Sequence, residues 1–419
     1  MRVYAFEGIH YSGTPDEAGA LVAPPYDQIN DALRDRLHAA APHQFAHLIK
    51  PVTGEPGEAT TPYVKAARLH QAWLGDGTLV VDSAPALYPY EIVLAGGGVR
   101  LGLTALVGFE NPKSGIIRAH EQTLEKPLAD RLELLRETKV DFEPVLLLPD
   151  DGGRLDAMLA EDIQGKTPLA DHLDADGHHH RIFRVDDAAR IGEYKTLLAD
   201  LPAAIADGHH RYKTGALYAS ETKAKAGTAA AAKLAVITSL SAPSLAIEPI
   251  HRALADPHEK YDLKRLHSTL RSRRTSSAKD GAALAAEVAA AEQPALGVWM
   301  RGGAGPEIWQ LDAASAPKSR TESAAHLTVV LLAEALLPGL ELEPSASLDG
   351  TVIYRSDPTE LHRMVTSGEV RIAFFIPPMT PAEFSAAIAN GDLLPPKSTR
   401  FLPKVFSGLV WAAHSSRLA

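Results

Sequence analysis

Apolar and β-branched residues recur along this chain in short runs, and these runs predict strands. Residues 88–109 form two such runs around a glycine-rich turn at 95–98, a pattern that is typical of a β-hairpin. Further runs of the same character predict strands at 144–148, 180–185, 234–240, 296–300 and 370–376.

Helical spacing and capping residues predict helices between these strands. Ile191, Tyr194 and Leu198 share one face of the segment 187–200. Two capping signatures and an alanine-rich stretch predict further helices, which begin at Asp357, at Thr380 and within 276–293. Together the pattern predicts an α+β fold in which mixed sheets with hairpins are flanked by helices.

The length predicts more than one hydrophobic core. The chain has 419 residues, and a single core stops growing at about 250–300 residues. The sequence divides into an N-terminal α/β region, a central region, a variable alanine-rich region and a C-terminal strand–helix region, with a core that we expect to be discontinuous in sequence. These regions span 1–150, 151–255, 256–345 and 346–419.

Composition excludes several classes of function. The net charge of −10 argues against broad binding to nucleic acid or to anionic lipid. The chain has no cysteine, so disulfides, thiolate catalysis and cysteine metal sites are excluded. The N-terminal residues lack a signal-peptide pattern, and no apolar stretch reaches the length of about 18 residues needed for a membrane span, so a cytoplasmic location is expected.

Residues 205–218, IADGHHRYKTGALY, are the first candidate site. Asp207 is expected to cap a helix, and Gly208 allows a close backbone approach. His209, His210 and Arg211 then supply donors where first-turn amides and the helix dipole favour an anion. The alternative is an ordinary helix cap followed by exposed polar residues.

A second candidate cluster follows at 115–135. His120 lacks a histidine four residues later, because Leu124 occupies that position, so a zinc-protease motif is excluded. The cluster is either a solvated helix face or a site in which Glu121 acts as a base and cations hold anionic groups. The other polar residues of this cluster are Thr123, Lys126 and Arg131.

A third candidate is the stiff loop PPKST, which presents Lys397, Ser398 and Thr399. Hydroxyls and a lysine beside a rigid turn suit phosphate contact, but a buried terminal strand is an equal alternative. Two smaller clusters follow prolines and are candidates for substrate and anion contact, respectively: Tyr26 with Asp27, and His251 with Arg252. The histidines at 178–180 are expected to lie at the surface.

Five elements follow one another along the chain: PPYD, GIIRAHEQT with KPLADR, ADGHHRY, EPIHR and PPKSTRFLPK. In this order they closely resemble a bacterial and archaeal family, domain of unknown function 1015. The resemblance extends from about Val3 to Trp411. The DGHHR element also resembles the signature of the ParB and sulfiredoxin-like superfamily, in particular its free-serine kinases. This resemblance implies a nucleotide- and phosphate-binding core within the α+β fold.

The resemblance to free-serine kinases implies roles for single residues. Asp207 would lie at a magnesium ion, and His209, His210 and Arg211 would hold phosphate, with ATP or ADP as the donor. Sulfinic acid repair is excluded because the chain has no cysteine. Residues assigned to phosphate or nucleotide contact in the other clusters are His120, Thr123, Lys126, Arg131, His251, Arg252, Lys397, Ser398 and Thr399.

These observations lead to a Mg²⁺-dependent phosphotransferase as the first functional hypothesis, with free serine or a similar small hydroxy metabolite as acceptor. Glu121 is the first choice for the base and Asp27 the second. A phosphohydrolase acting on phosphoserine and a nonenzymatic nucleotide-binding regulator remain alternatives, and no nucleic acid partner is expected. The site hypothesis predicts that Glu121, His209 and Lys397 converge on one cleft.

Overall fold

A computed structural model describes residues 1–52, 60–121, 126–342 and 349–419, with the side chains of residues 126, 127, 268 and 269 left out. The chain has an α+β fold with several sheets and flanking helices, as predicted. It forms two compact units. Unit 1 comprises Met1–Ala119, Thr123–Leu245 and Pro403–Ala419, and unit 2 comprises His120–Gln122 and Ala246–Leu402.

The elements of both units are numbered in chain order. Within the described residues, the helices of unit 1 are α1 (Pro15–Gly19), α2 (Asp31–Ala40), α3 (Ala46–Ile49), α4 (Pro62–Gly75), α5 (Lys126–Thr138), α6 (Arg154–Ile163), α7 (Ala188–Leu198) and α8 (His209–Glu221). Its strands are β1 (Val3–Tyr4), β2 (Ile9–Tyr11), β3 (Leu79–Val81), β4 (Tyr88–Val93), β5 (Val99–Gly108), β6 (Ile117–Ala119), β7 (Val140–Asp141), β8 (Val145–Pro149), β9 (Ala170–Leu173), β10 (His179–Ile182), β11 (Ala203–Asp207), β12 (Ala232–Ile237) and β21 (Ala412–Ala413).

A nine-stranded mixed sheet organises unit 1. Its strands run in the order β6-β11-β8-β12-β5-β4-β10-β9, and β1 pairs with β5. The predicted hairpin is confirmed, because β4 and β5 pair antiparallel from Val93 opposite Val99 to Tyr88 opposite Thr104. Alternate residues of these strands, such as Leu103, pack with helix residues such as Tyr194 into one buried core.

Unit 2 has a smaller, antiparallel sheet. Its strands are β13 (Ala246–Glu248), β14 (His251–Leu254), β15 (Leu270–Thr275), β16 (Ala295–Met300), β17 (Glu307–Leu311), β18 (Val352–Arg355), β19 (Ile372–Phe375) and β20 (Arg400–Leu402), and its helices are α9 (Gly281–Ala289), α10 (Glu322–Ala325), α11 (Thr328–Leu331), α12 (Pro358–Thr366) and α13 (Pro381–Ala389). The sheet order is β15-β17-β16-β19-β14-β18, and β13 pairs separately with β20. Helices α9 and α12 contribute to a second buried core with this sheet.

The predicted capping signatures are confirmed. Thr380 and Glu383 form a capping box at α13, and Asp357 and Asp187 cap α12 and α7. The predicted surface position is wrong for His180, which is buried because its strand lies between β4 and β9. Every helix within the described residues is too short or too polar to span a membrane. The division into four sequence regions stays a prediction.

Candidate functional site

The first candidate site lies where strand β11 passes into helix α8 in unit 1. The helix begins at His209 as predicted, but its N-cap is Gly208 and not Asp207. Asp207 is the last residue of the strand, and the left-handed backbone of Gly208 (φ +88°) turns the chain into the helix. The predicted capping role of Asp207 is therefore wrong, and its carboxylate is available for other contacts.

Gly208 is required here for both its conformation and its size. A β-carbon at this position would lie 3.0 Å from the Arg211 guanidinium and 3.0 Å from a methyl group of Val145. The N-cap residue Gly208 supplies no side-chain cap to α8. A helix N-terminus directs amide groups and the positive end of the helix dipole outward, which favours an anion.

The Asp207 carboxylate lies between two cations. Its Oδ1 is 3.2 Å from the Lys404 Nζ, and its Oδ2 accepts a hydrogen bond of 3.0 Å from the Arg211 Nη2. Burial alone would raise the pKa of Asp207, but Lys404 and Arg211 lower it to about 2. The side chain is therefore ionised throughout the neutral range.

Arg211 is fixed from two sides. Its guanidinium donates to the carbonyl oxygen of Pro144 as well as to Asp207. Burial would lower the pKa of Arg211, but the charges of Asp207, Glu143 and Asp27 raise it. The arginine is buried, so it provides a permanent, immobile positive charge beside the start of α8.

Tyr26 and Arg131 meet in the same unit around a buried carboxylate, that of Glu143. Glu143 Oε1 accepts the Tyr26 backbone N–H at 2.9 Å, and its Oε2 lies 3.4 Å from Arg131 Nη1. The Arg131 guanidinium lies 4.2 Å from the centroid of the Tyr26 ring. Arg131 is only 6% exposed, so the alternative of a solvated helix face is wrong for this residue. Burial raises the pKa of Tyr26 to about 12.

Sequence reasoning missed Glu143 and two further charged groups of this cluster. Lys233 pairs with Asp141 and donates to the Glu143 carbonyl oxygen at 2.8 Å. Glu143, Asp141 and Lys233 each lie within or next to a run of apolar residues in the sequence. A charged residue inside such a run signals a buried ion pair, because isolated buried charges are too costly to occur.

A second polar cluster forms within unit 2. Glu121 Oε2 accepts the Lys397 backbone N–H at 3.1 Å, and the His120 Nε2 lies 2.7 Å from the Thr399 Oγ1. Residues Glu121 and Leu394 form a parallel β-bridge that fixes this arrangement. The structure thus brings together parts of the second and third sequence clusters. Lys397 has a left-handed backbone (φ +61°) and an exposed side chain.

Arg252 and His251 point in different directions because they are neighbours on strand β14. Arg252 Nη2 donates to the carbonyl oxygens of Lys397 at 3.0 Å and Pro396 at 3.3 Å, so it holds the PPKST loop. His251 Nδ1 accepts the Ile376 backbone N–H at 3.0 Å, and burial lowers the pKa of this imidazole to about 4. In the same loop, Ser398 donates to the Pro395 carbonyl oxygen at 2.6 Å.

The remaining predicted residues have the following positions. His209 and His210 open α8, with His209 buried and His210 partly exposed, and Asp27 is exposed in the turn Tyr26–Gln28. Thr123 and the side chain of Lys126 lie outside the described residues. The predicted convergence holds for Glu121 and Lys397, and convergence of both with His209 stays a prediction.

A family model described as "Protein of unknown function (DUF1015)" matches residues 3–334. The chain belongs to this family. The match confirms the resemblance inferred from PPYD, GIIRAHEQT, ADGHHRY and EPIHR, whereas the PPKST element lies after the matched residues. No curated protein sequence matches the chain.

Several solved structures are weakly similar to this DUF1015 protein. A free serine kinase mutant in complex with AMP has a TM-score of 0.37 at 14% identity, over 71% of this chain and 87% of that chain. A conserved hypothetical protein from Pyrococcus furiosus has a TM-score of 0.36 at 14% identity, over 73% and 95%. SbnI with a C-terminal truncation, from Staphylococcus aureus, has a TM-score of 0.35 at 13% identity, over 72% and 84%. Likenesses at this level carry no conclusion about function.

Proposed function

We propose that this DUF1015 protein is a Mg²⁺-dependent phosphotransferase that transfers a phosphoryl group from ATP or ADP to a small hydroxy metabolite, with free serine as the best candidate. The observation that carries the proposal is the position of the N-terminus of α8, which follows strand β11 through Gly208 and lies beside Asp207, Arg211 and Lys404. The resemblance of the DGHHR element to free-serine kinases suggests the acceptor.

The chemistry of phosphoryl transfer suits this arrangement. Catalysis of this reaction depends mainly on positioning and on neutralising the charge of the phosphate oxygens. The first-turn amides of α8 and the side chains of His209 and His210 would donate to those oxygens. Arg211 keeps its position through the Pro144 carbonyl, whereas Lys404 makes a longer contact of 3.2 Å with Asp207. Lys404 would therefore move from Asp207 to a bound phosphate.

The donor set is suited to a magnesium ion held jointly with the nucleotide. Mg²⁺ prefers hard oxygen ligands, and it is commonly bound through one or two carboxylates together with phosphates and water. Asp207 supplies one carboxylate that stays ionised because its pKa is lowered to about 2. When bound, the ion would neutralise phosphate charge, while Asp207 would orient it.

We further propose Glu121 as the base that accepts the proton of the acceptor hydroxyl, with Asp27 as the second candidate. The Glu121 carboxylate is held by the Lys397 amide at 3.1 Å, which fixes its orientation. Arg252 would act as a positioning residue because it binds the carbonyl oxygens of the same loop. Phosphate or substrate contact by the remaining predicted residues is part of the proposal: Tyr26, His120, Thr123, Lys126, Arg131, His251, Lys397, Ser398 and Thr399.

Phosphorus NMR tests the proposal. The protein is incubated with Mg²⁺, serine and either ATP or ADP, and in a separate sample with phosphoserine alone. We expect a phosphoserine resonance that grows only when nucleotide is present. Release of phosphate from phosphoserine without nucleotide would support a phosphohydrolase instead, and nucleotide binding without turnover would support a regulator.

Variants of the α8 site sharpen this test. Asp207→Asn and Lys404→Gln are expected to slow transfer by about 100-fold, because each removes a charge next to the transferred group. Lys113→Gln is the matched control, since Lys113 is an exposed lysine of unit 1 outside the site. Transfer that is unchanged in both Asp207→Asn and Arg211→Ala would contradict the assignment.

A further inference from the structure

A cavity with a volume of about 400 Å³ lies in unit 1. Its walls come from helix α4, the end of helix α5, strand β3 and the residues that follow strand β21. Volumes of about 300–1,000 Å³ are typical of pockets for small organic ligands. None of the residues assigned above to phosphoryl transfer lines this cavity.

His70 supplies a buried hydrogen-bond donor in the cavity wall. Its Nε2 accepts a hydrogen bond of 3.2 Å from the indole Nε1 of Trp411. Burial lowers the pKa of His70 to about 4, so the ring is neutral and its single proton lies on Nδ1. Nδ1 has no hydrogen-bond partner within the described residues. Leaving a buried donor without an acceptor is unfavourable, and a ligand acceptor would supply the missing hydrogen bond.

Lys139 supplies a positive charge at the same cavity. It directly follows α5 with a left-handed backbone (φ +53°), a conformation that favours glycine over residues with a side chain. Its carbonyl oxygen accepts the His414 backbone N–H at 2.9 Å, which fixes the turn. The side chain is exposed, and its ammonium group makes no hydrogen bond or ion pair with the described residues.

The rest of the wall combines apolar and polar residues. Ile9, Leu74, Val81 and Val140 form its apolar part, and glutamine, threonine and serine side chains belong to its polar part. Glu7 also lines it and is paired with Arg417. A ligand with an apolar body suits these walls, and the Glu7 carboxylate disfavours a ligand that carries two negative charges.

We propose that this cavity binds a small monocarboxylate with an apolar chain. The carboxylate is held by the Lys139 ammonium and the His70 Nδ1–H, and the chain packs against Ile9, Leu74 and Val140. This site is separate from the proposed phosphoryl-transfer site, so its occupancy does not depend on that function.

Isothermal titration of the full chain with octanoate tests the proposal, with 1-octanol and octylamine as matched neutral and cationic probes. We expect saturable binding of octanoate at one site per chain, and at least tenfold weaker binding of the other two probes. Absence of octanoate binding would overturn the proposal. Equally tight binding of 1-octanol would overturn the assignment of the carboxylate.

Lys139→Gln is expected to weaken octanoate binding about tenfold, the factor that corresponds to about 1.4 kcal/mol. Lys223→Gln is the matched control, because Lys223 is also an exposed lysine of unit 1 with a left-handed backbone (φ +51°) after a helix. His70→Phe, which keeps a ring but removes the donor, is also expected to weaken binding while circular dichroism confirms folding. Octanoate affinity that is unchanged in both Lys139→Gln and His70→Phe would overturn the site.

Discussion

Asp207 places each of its carboxylate oxygens against a cation, and one of these cations, Lys404, is 197 residues away in the sequence. Glu143 likewise contacts the backbone of Tyr26, 117 residues away. Buried side chains such as these stay ionised only because they are paired, since an unpaired buried charge costs several kcal/mol. At the residue scale, the candidate site is therefore a network of mutually dependent charges.

Asp156 is a carboxylate without such a partner. Its Oδ1 is buried without a hydrogen bond in the described residues, and burial, together with the nearby Asp151, raises its pKa from 3.8 to about 6. The folded protein therefore binds more protons here than the unfolded chain between these two pH values. Asp156 consequently lowers stability as pH rises through this window, and the loss is complete above it.

We predict that Asp156→Asn raises the free energy of unfolding by about 1 kcal/mol at pH 8, a value reduced for the partial exposure of this side chain. At pH 4 the variant and the original protein should differ little, because Asp156 is then largely protonated. Urea denaturation at the two pH values measures the difference, and Glu137→Gln, at an exposed position, serves as a control. An equal effect at both pH values would contradict the raised pKa.

The sequence predicted the residue types of the site better than their contacts. Asp207, His209 and Arg211 were assigned to one anion site, and the structure places them at one strand–helix junction. The capping role of Asp207 was wrong because Gly208 adopts a left-handed conformation and leaves the carboxylate to Lys404 and Arg211. Pairings over such sequence distances are set by the tertiary fold and leave no local signal.

At the scale of elements, α8 and α6 begin in the same unusual way. Each has a glycine N-cap with a left-handed backbone, φ +88° at Gly208 and φ +80° at Gly153, and in both the N-cap residue itself supplies no side-chain cap. A β-carbon at Gly153 would meet no atom within 4 Å, whereas one at Gly208 would crowd Arg211 and Val145. An alanine at Gly153 would therefore test the cost of the left-handed backbone alone, whereas an alanine at Gly208 would add the cost of crowding.

We predict that Gly153→Ala lowers stability by about 1 kcal/mol, the cost of a left-handed alanine. Gly208→Ala should cost about 1–2 kcal/mol more, because Arg211 or Val145 must also move. Only Gly208→Ala should weaken binding of inorganic phosphate. Denaturation and calorimetric titration of both variants measure these differences, and equal effects of the two substitutions on phosphate binding would argue against the α8 site.

Elements with strong local signals were predicted from the sequence. The hairpin of β4 and β5 has apolar runs on both sides of a glycine turn, and α13 has a complete capping box. Strand β11 was not among the predicted strands. Four of its five residues are Ala or Asp, which do not favour strands, so its pairing with β6 and β8 makes it a strand.

At the scale of the whole molecule, the length predicted several subdomains, and two compact units are present. The sequence did not predict how the segments of the two units alternate along the chain. Residues 120–122 belong to unit 2 although unit 1 surrounds them in the sequence, and residues 403–419 belong again to unit 1. Composition gives no information on such pairings. The overall charge, in contrast, is a property of composition alone.

We predict that the net charge of −10 prevents binding to duplex DNA at physiological salt, because nonspecific DNA binding depends on neutralising phosphates with basic residues. Fluorescence anisotropy of a labelled duplex of about 20 base pairs, titrated with the protein in about 150 mM salt, measures this. Salt-sensitive binding at micromolar protein would contradict this prediction.

The proposed function depends on phosphate binding at the start of α8. Amide NMR of the labelled protein, titrated with inorganic phosphate and then with ADP and Mg²⁺, tests for this binding. We expect saturable shifts of the Gly208, His209 and His210 amide resonances, which are lost in Lys404→Gln and retained in Lys113→Gln. Saturable binding of ADP that leaves these three amide resonances unmoved would contradict it.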